Sequence, residues 1–529
     1  MTCRRIRRSL KKNEHSLSGE VMTDVLIVGA GPTGLALATR LTDLGARVRI
    51  IEKHESVLEL TKSAALHART LEHLRDLGTA DAVLAEGQPV EILTLRTGYR
   101  DRVSVDFRTL ADTAYPLMID IPQARTEHLL IDGLAERGVE VERGTECTGI
   151  EQDADGVRAT VSVRGTEHTV EARWAVGCDG SRSTVRDLLG IGMAGEPYAD
   201  DWVLCDAEVD WPLPRNEMAF SGDTEGIFGV FPLPGERRFR LAYTATGAEP
   251  SIEDAQRCMA RTGIDGRIRS VEEFWTFSLA HKQAVRYGGG RVLLAGDAAH
   301  VHTPFGGQGL NLGIGDAMNL AWRLALAARG ADPALIDGYE TERHPVAAQV
   351  IAFTHRGAQA MLMRGDPRRH VRDALLTAAG SSDRARRGLA RRFSQLDHRY
   401  RRVAGNTGRG GGLVGGDRLP DTAFFDGVAE RTRHLHDLLP SDRHTLLLTD
   451  PAQAEGLSVP APHAVRLITP DWAQARADRD TVTALDRAES LSRLYGSAYL
   501  VRPDRHVARI GSPAELVAAL PETTREESR

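Results

Sequence analysis

The chain has 529 residues, 41% hydrophobic and 26% charged, with a net charge of −6 and five scattered cysteines. That length excludes a single small domain, and the balance excludes a disordered or fibrous chain. No apolar run approaches the roughly 18 residues of a membrane helix. The acidic balance offers no grip on nucleic acid, and cysteines without a CxxC pair suit a reducing, cytoplasmic compartment.

Residues 1–22 hold Arg4, Arg5, Arg7, Arg8, Lys11 and Lys12 with no apolar stretch behind them, so a disordered basic tail is expected. Val25-Leu26-Ile27-Val28 then reads as a strand buried on both faces. Pro32 opens a helix that ends near Gly45, and a second strand, 48–51, closes at Glu52. Residues 99–115 read as polar and irregular, 126–137 as a helix, and 139–141, 156–163 and 168–175 as strands. Across 198–277 apolar and polar residues alternate, which predicts an antiparallel sheet; its aromatics read as core before substrate contacts. A buried strand at 291–294, a glycine-rich turn and a helix over 309–329 follow, then a helical, Arg-rich region to about 402 whose 386–402 run reads as a solvated face. Residues 405–416 read as a linker. Beyond it lies a separate unit with strands at 445–448, 464–468 and 498–502.

Three motifs carry chemistry. Gly29-Ala30-Gly31-Pro32-Thr33-Gly34 joins a buried strand to a helix, with Glu52 at the end of the next strand. Gly29 allows the tight turn, Gly31 lets the backbone approach a pyrophosphate, and Gly34 lets helix and strand pack. The helix N-terminus presents free N–H groups to phosphates, and Glu52 accepts from a ribose. A dinucleotide site is predicted. Cys178-Asp179-Gly180, followed by Ser181-Arg182-Ser183-Thr184-Val185-Arg186, is the second motif. The third is Gly296-Asp297-Ala298-Ala299-His300, with Pro304 and Gly306-Gly307-Gln308-Gly309-Leu310-Asn311 behind it. Singly these are common turns; behind a GxGxxG they form a set.

With that set the chain resembles, over about residues 24–350, the FAD-dependent aromatic hydroxylases of class A. It is most similar to those acting on aromatic polyketides or rifamycins, and to phenol hydroxylase. The resemblance implies an α/β fold: a Rossmann-like FAD-binding domain (23–197 and 278–404), an antiparallel-sheet substrate domain (198–277) and a thioredoxin-like C-terminal domain (405–529). No cysteine follows Cys258, so thiol chemistry is not expected there.

The implied cofactor-binding residues are Gly29, Gly31, Pro32, Thr33, Gly34, Glu52, Lys53, Lys62, Gln123, Asp179, Gly296, Asp297, Pro304, Gly307, Gly309, Leu310 and Asn311. Lys62 stands where Arg is usual, keeping the charge without the planar fork. No catalytic side chain is singled out. His300 and His302 are expected to be packed or hydrogen-bonded and not metal ligands. His67 and Arg69 either serve the flavin side and NADPH or anchor a helix. The implied activity is hydroxylation of a phenolic, polycyclic natural product through a flavin C4a-hydroperoxide, with FAD, NAD(P)H and O₂, by a monomer or homodimer. Baeyer–Villiger or epoxidising chemistry remains open on the same motifs. A NAD(P)-dependent dehydrogenase would leave the second and third motifs unused, and a non-catalytic binder would keep the cavity without consuming NADPH.

Overall fold

The computed structural model describes residues 22–58, 63–212, 214–223, 225–245, 249–263, 265–303, 305–362, 366–401, 403, 405–470 and 482–522. Lys62 and Pro304 lie outside the described residues, as do residues 1–21 of the basic tail.

The first layer is a mostly parallel sheet. Its central strand, Thr23–Val28, is buried along its whole length, as its unbroken apolar run requires. It runs parallel to Val48–Glu52 on one side and Thr166–Gly177 on the other, and Thr166–Gly177 runs parallel to Val292–Leu294. Val28 is level with Ile51 and Gly177, and Gly177 with Leu294. Three distant segments therefore leave the same edge of one sheet: Gly29, Cys178-Asp179 and Gly296-Asp297. The Pro32–Asp43 helix packs on the sheet between the Gly309–Ala328 and Gln123–Glu136 helices. Gly309–Ala328 is apolar almost all round and buried accordingly.

The second layer is an eight-stranded sheet. Its strands Met193–Asp210 and Arg267–Ala284 extend beyond 198–277, and Ile92–Thr97 and Arg100–Asp106 add the far edge. The polar stretch after Tyr99 is thus a strand: Val103 and Val105 point inward while alternate residues face solvent, so composition hides its period-2 pattern. One face of the sheet carries Leu204, Phe220, Phe231 and Ala242 into the main core. The other carries Val203, Cys205, Phe239 and Leu241 under the Ile252–Ala260 helix. A small ribbon of Ala65–Leu66, Met118–Asp120 and Gln88–Val90 bridges the two layers.

The C-terminal unit has a five-stranded sheet. Thr445–Leu448, Ala464–Thr469 and Val482–Leu485 run parallel, while Ala498–Val501 and Val507–Gly511 add an antiparallel pair. The glycine-rich 405–416 segment is packed against it, not a free linker. The Thr407 N–H donates to the Ala508 carbonyl (3.1 Å), and a Cβ at Gly408 would fall on the Ile510 carbonyl. Glycine serves close backbone approach here, which from sequence looks the same as a spacer.

A seam of buried ion pairs joins this unit to the first layer. Arg502 grips Glu342 (2.5 and 2.9 Å) and Asp504, and Glu342 also holds Arg323 (2.8 Å). Arg418 pairs with Glu72, which also takes Arg69 (2.7 Å). Arg505 reaches Asp76 at 2.7 Å from a left-handed backbone (φ 65°). Burial alone would raise the Glu342 carboxyl, but Arg502 and Arg323 outweigh it and hold the group at about 2. The 386–402 run is solvated but paired, its partly exposed Arg391 on Asp112 (2.6 Å), Arg392 on Asp397 (2.9 Å) and Arg401 on Asp417 (2.5 Å). The four described cysteines, Cys147, Cys178, Cys205 and Cys258, are free and buried.

Candidate functional site

The shared sheet edge opens into a cleft of about 310 Å³ lined by Gly29, Gly31, Glu52, Lys53, Gln123, Asp179 and Asp297 among others. Two of its glycines are packing devices. Gly29 sits at φ 103°, and a Cβ there would strike the Cys178 carbonyl; a Cβ at Gly34 would fall on the Gly29 carbonyl oxygen. Gly31 is different, because a Cβ there would meet nothing within 4 Å. It is the N-cap of the Pro32–Asp43 helix, and no side chain caps that end. Free N–H groups and a positive dipole end therefore face open space, the setting for a phosphate. Pro32 occupies the first turn, where its missing N–H costs nothing.

Carboxylates shape the rest of the cleft. Glu52 accepts from the Ala30 N–H (2.9 Å) and the His54 N–H (3.0 Å), locking the glycine turn to the second strand. Asp179 accepts from Ser183 Oγ (2.5 Å) and the Val185 N–H (3.1 Å), so it starts the short helix that follows, and burial raises its carboxyl. Gln123 donates to Glu127 (2.9 Å). Lys53 and Asp297 are exposed at the rim. Thr33 reaches into the fold: its hydroxyl occupies the space that a Cβ at Gly296 or Gly313 would need, interlocking the first and third motifs.

Gly306, Gly307 and the start of the Gly309–Ala328 helix form a second element, tied to the first and third motifs where Gly313 packs on Thr33 and Gly296. Gly306 and Gly307 have φ of 74° and 63°. Their carbonyls are held by His67 Nε2 (2.8 and 3.2 Å), and Asn311 accepts from the His67 N–H (2.8 Å) while donating to Ala65 and Gly307 carbonyls (2.8 and 2.7 Å). His67 is fully buried, which pushes its imidazole down to about 4, so it is neutral and anchors this loop. Asn311 spends its amide on the same task. Gly309 borders the His302 ring, and Leu310 is half-buried against the core.

Sequence reading missed the support beneath these motifs. Asp316 is wholly buried and accepts from the Gly296 N–H (3.1 Å), His300 Nε2 (2.6 Å) and Arg343 Nε (2.6 Å). It fixes the third motif from behind; a lone acid in an otherwise apolar helix was the available signal. His300 is thus a hydrogen-bonded residue, and His302 Nδ1 bonds to the Thr303 carbonyl (2.8 Å). Asp120 is also missed. It is fully buried with neither carboxylate oxygen partnered, and burial pushes it up to about 8 despite the nearby charge of Arg240.

Residues 22–354 match the family model described as an FAD binding domain. The 12-dehydrotetracycline 5-monooxygenase/anhydrotetracycline 6-monooxygenase of Streptomyces rimosus is 38% identical over 93% of this chain and 95% of its own length. The chain belongs to the FAD-dependent aromatic monooxygenases. A rifampicin monooxygenase of Streptomyces venezuelae is 34% identical over 94% of this chain and 98% of its own. The solved anhydrotetracycline hydroxylase of Streptomyces rimosus superposes with a TM-score of 0.71 at 33% identity, covering 94% of this chain and 99% of that one. FAD is the cofactor of this monooxygenase. The cleft fits it on its own evidence: an uncapped helix end, an open cradle at Gly31 and a carboxylate at the end of the second strand.

Proposed function

We propose that this FAD-dependent monooxygenase uses NAD(P)H and O₂ to hydroxylate a phenolic, polycyclic aromatic natural product. The observation that carries the reading is the delivery of Gly29–Gly31, Asp179 and Asp297 to one cleft by three parallel strands. The tetracycline and rifampicin monooxygenases among the relatives support the substrate class.

Bound FAD supplies the redox chemistry, taking reducing equivalents from NAD(P)H and activating O₂ for transfer to a ring carbon. The chain's own residues do the rest. The Pro32–Asp43 helix end and Gly31 hold the pyrophosphate, Glu52 holds a ribose, and Asp297 and Gln123 hold the chain leading to the flavin ring. The Gly309–Ala328 helix starts without a side-chain cap, so its positive end would favour negative charge on a cofactor held against it. Neutral His67 keeps the loop backbone in place. Phe305, buried between Phe220 (5.2 Å) and Phe393 (6.2 Å), keeps water from the loop. We read the C-terminal unit as a thioredoxin-like brace.

NADPH and NADH oxidation by the FAD-loaded protein, measured across a panel of phenols, tests the reading. One polycyclic phenol is expected to accelerate oxidation several-fold and to yield a product heavier by one oxygen atom with its rings intact. A ring-expanded product would move the chemistry to a Baeyer–Villiger type, and indifference to every phenol would overturn aromatic hydroxylation.

A further inference from the structure

A groove of about 530 Å³ opens along one face of the Asp337–Met361 helix, outside the cofactor cleft. Ala348, Ala352, Phe353 and Gly357 form its apolar wall, and small residues at three of these positions leave the room. Its inner side is thin. A Cβ at Gly357 would strike the Phe305 ring, Phe353 packs edge-on against Phe393 at 5.2 Å, and a Cβ at Gly306 would strike Phe393 from the other side. One layer of aromatic rings therefore separates the groove from the Gly306–Gly307 loop.

Two guanidiniums border this apolar surface. Arg392 is committed: it bonds Asp397 (2.9 Å) and lies over the Phe353 ring at 5.4 Å. Arg356 is exposed and, among the described residues, has no carboxylate or hydrogen-bond partner. A flat apolar wall of small residues around one phenyl ring, with a single uncommitted guanidinium at its edge, is complementary to a flat polycyclic ligand that carries one anionic oxygen group. The volume suits a ligand of several fused rings.

We propose that this groove is a substrate subsite that takes anionic polycyclic aromatics, with Arg356 as the residue that selects for the negative charge. The inference rests on the hydroxylase reading for the identity of the ligand as substrate. Arg356 binds and orients; it takes no part in the oxygen transfer.

The test uses a matched pair, a hydroxyanthraquinone carboxylate and its carboxamide, titrated into the FAD-loaded full-length protein and followed by flavin difference absorbance. The carboxylate is expected to bind about tenfold more tightly, a preference of about 1.4 kcal/mol. Arg356→Gln should abolish that preference while leaving carboxamide binding and FAD content unchanged, and Ala352→Trp should weaken both probes by filling the wall. Equal binding of the pair by the wild type, or a preference that survives in Arg356→Gln, overturns the subsite. If the charge preference is found but neither probe nor any other phenol is hydroxylated, the groove stands as an anion-selective aromatic site and the hydroxylase reading falls.

Discussion

At the cofactor cleft the groups left for a ligand are backbone ones, an uncapped helix end and an open glycine, while Glu52 already takes the Ala30 and His54 N–H groups. At the seam with the C-terminal unit the polar contacts are made by fully charged side chains buried against one another, as in Arg502–Glu342 and Arg418–Glu72. The first arrangement leaves donors unspent for a ligand; the second spends every charge internally. A buried pair adds little net stability when intact, because desolvation offsets attraction, yet it is costly to break on one side. The cleft should therefore respond to mutation through FAD, and the seam through folding.

The largest effect is expected from Glu342→Gln, which leaves Arg502 and Arg323 buried with their shared partner gone. A loss of about 3–5 kcal/mol in denaturant unfolding is expected, with FAD still bound by the folded fraction. A loss below about 1 kcal/mol would mean the seam is hydrated and the contrast with the cleft is false. Within the cleft, Gly34→Ala forces a Cβ onto the Gly29 carbonyl and should cost about 1–3 kcal/mol of stability. Gly31→Val points into open space, so its unfolding midpoint without FAD should match wild type while FAD affinity falls. If both variants behave alike, the separation of packing from binding glycines is wrong. Asp297→Ala should purify with little FAD, read from the flavin-to-protein absorbance ratio; full retention of FAD would remove that residue from the site.

A pH-dependent effect belongs to Asp120. Its folded value of about 8 lies above the ~3.9 of an unfolded aspartate, so the native state keeps a proton that the unfolded chain releases. Its contribution is most favourable below about pH 4 and declines as pH rises toward 8. Wild type should thus lose more thermal stability than Asp120→Asn between about pH 5 and pH 8. Parallel melting curves would show that the carboxyl has found a partner or water.

The same contrast decides what could be read from sequence. The cleft was legible because backbone approach demands glycine at fixed spacing, and because short apolar strands place those glycines at one edge. The seam was not. Glu342 and Arg502 are 160 residues apart, and each alone looks like surface charge. Asp316 sits behind the third motif but has no motif of its own. The strand Arg100–Asp106 and the packed glycines of 405–416 were obscured for a related reason: half-exposed strands and close-packed turns have the composition of loops and linkers.

Two of the buried cysteines, Cys147 and Cys178, border the cofactor cleft. Burial pushes the Cys147 thiol up to about 11 and Cys178 well above the usual thiol range. Neither is a thiolate near neutral pH, and the thiolate is the form that oxidants attack. A catalyst that handles activated oxygen thus keeps these two cleft-wall thiols in their unreactive form. Among the described residues of the cleft wall, the two cysteines are therefore poor sulfenic-acid precursors for oxidant escaping an unproductive cycle.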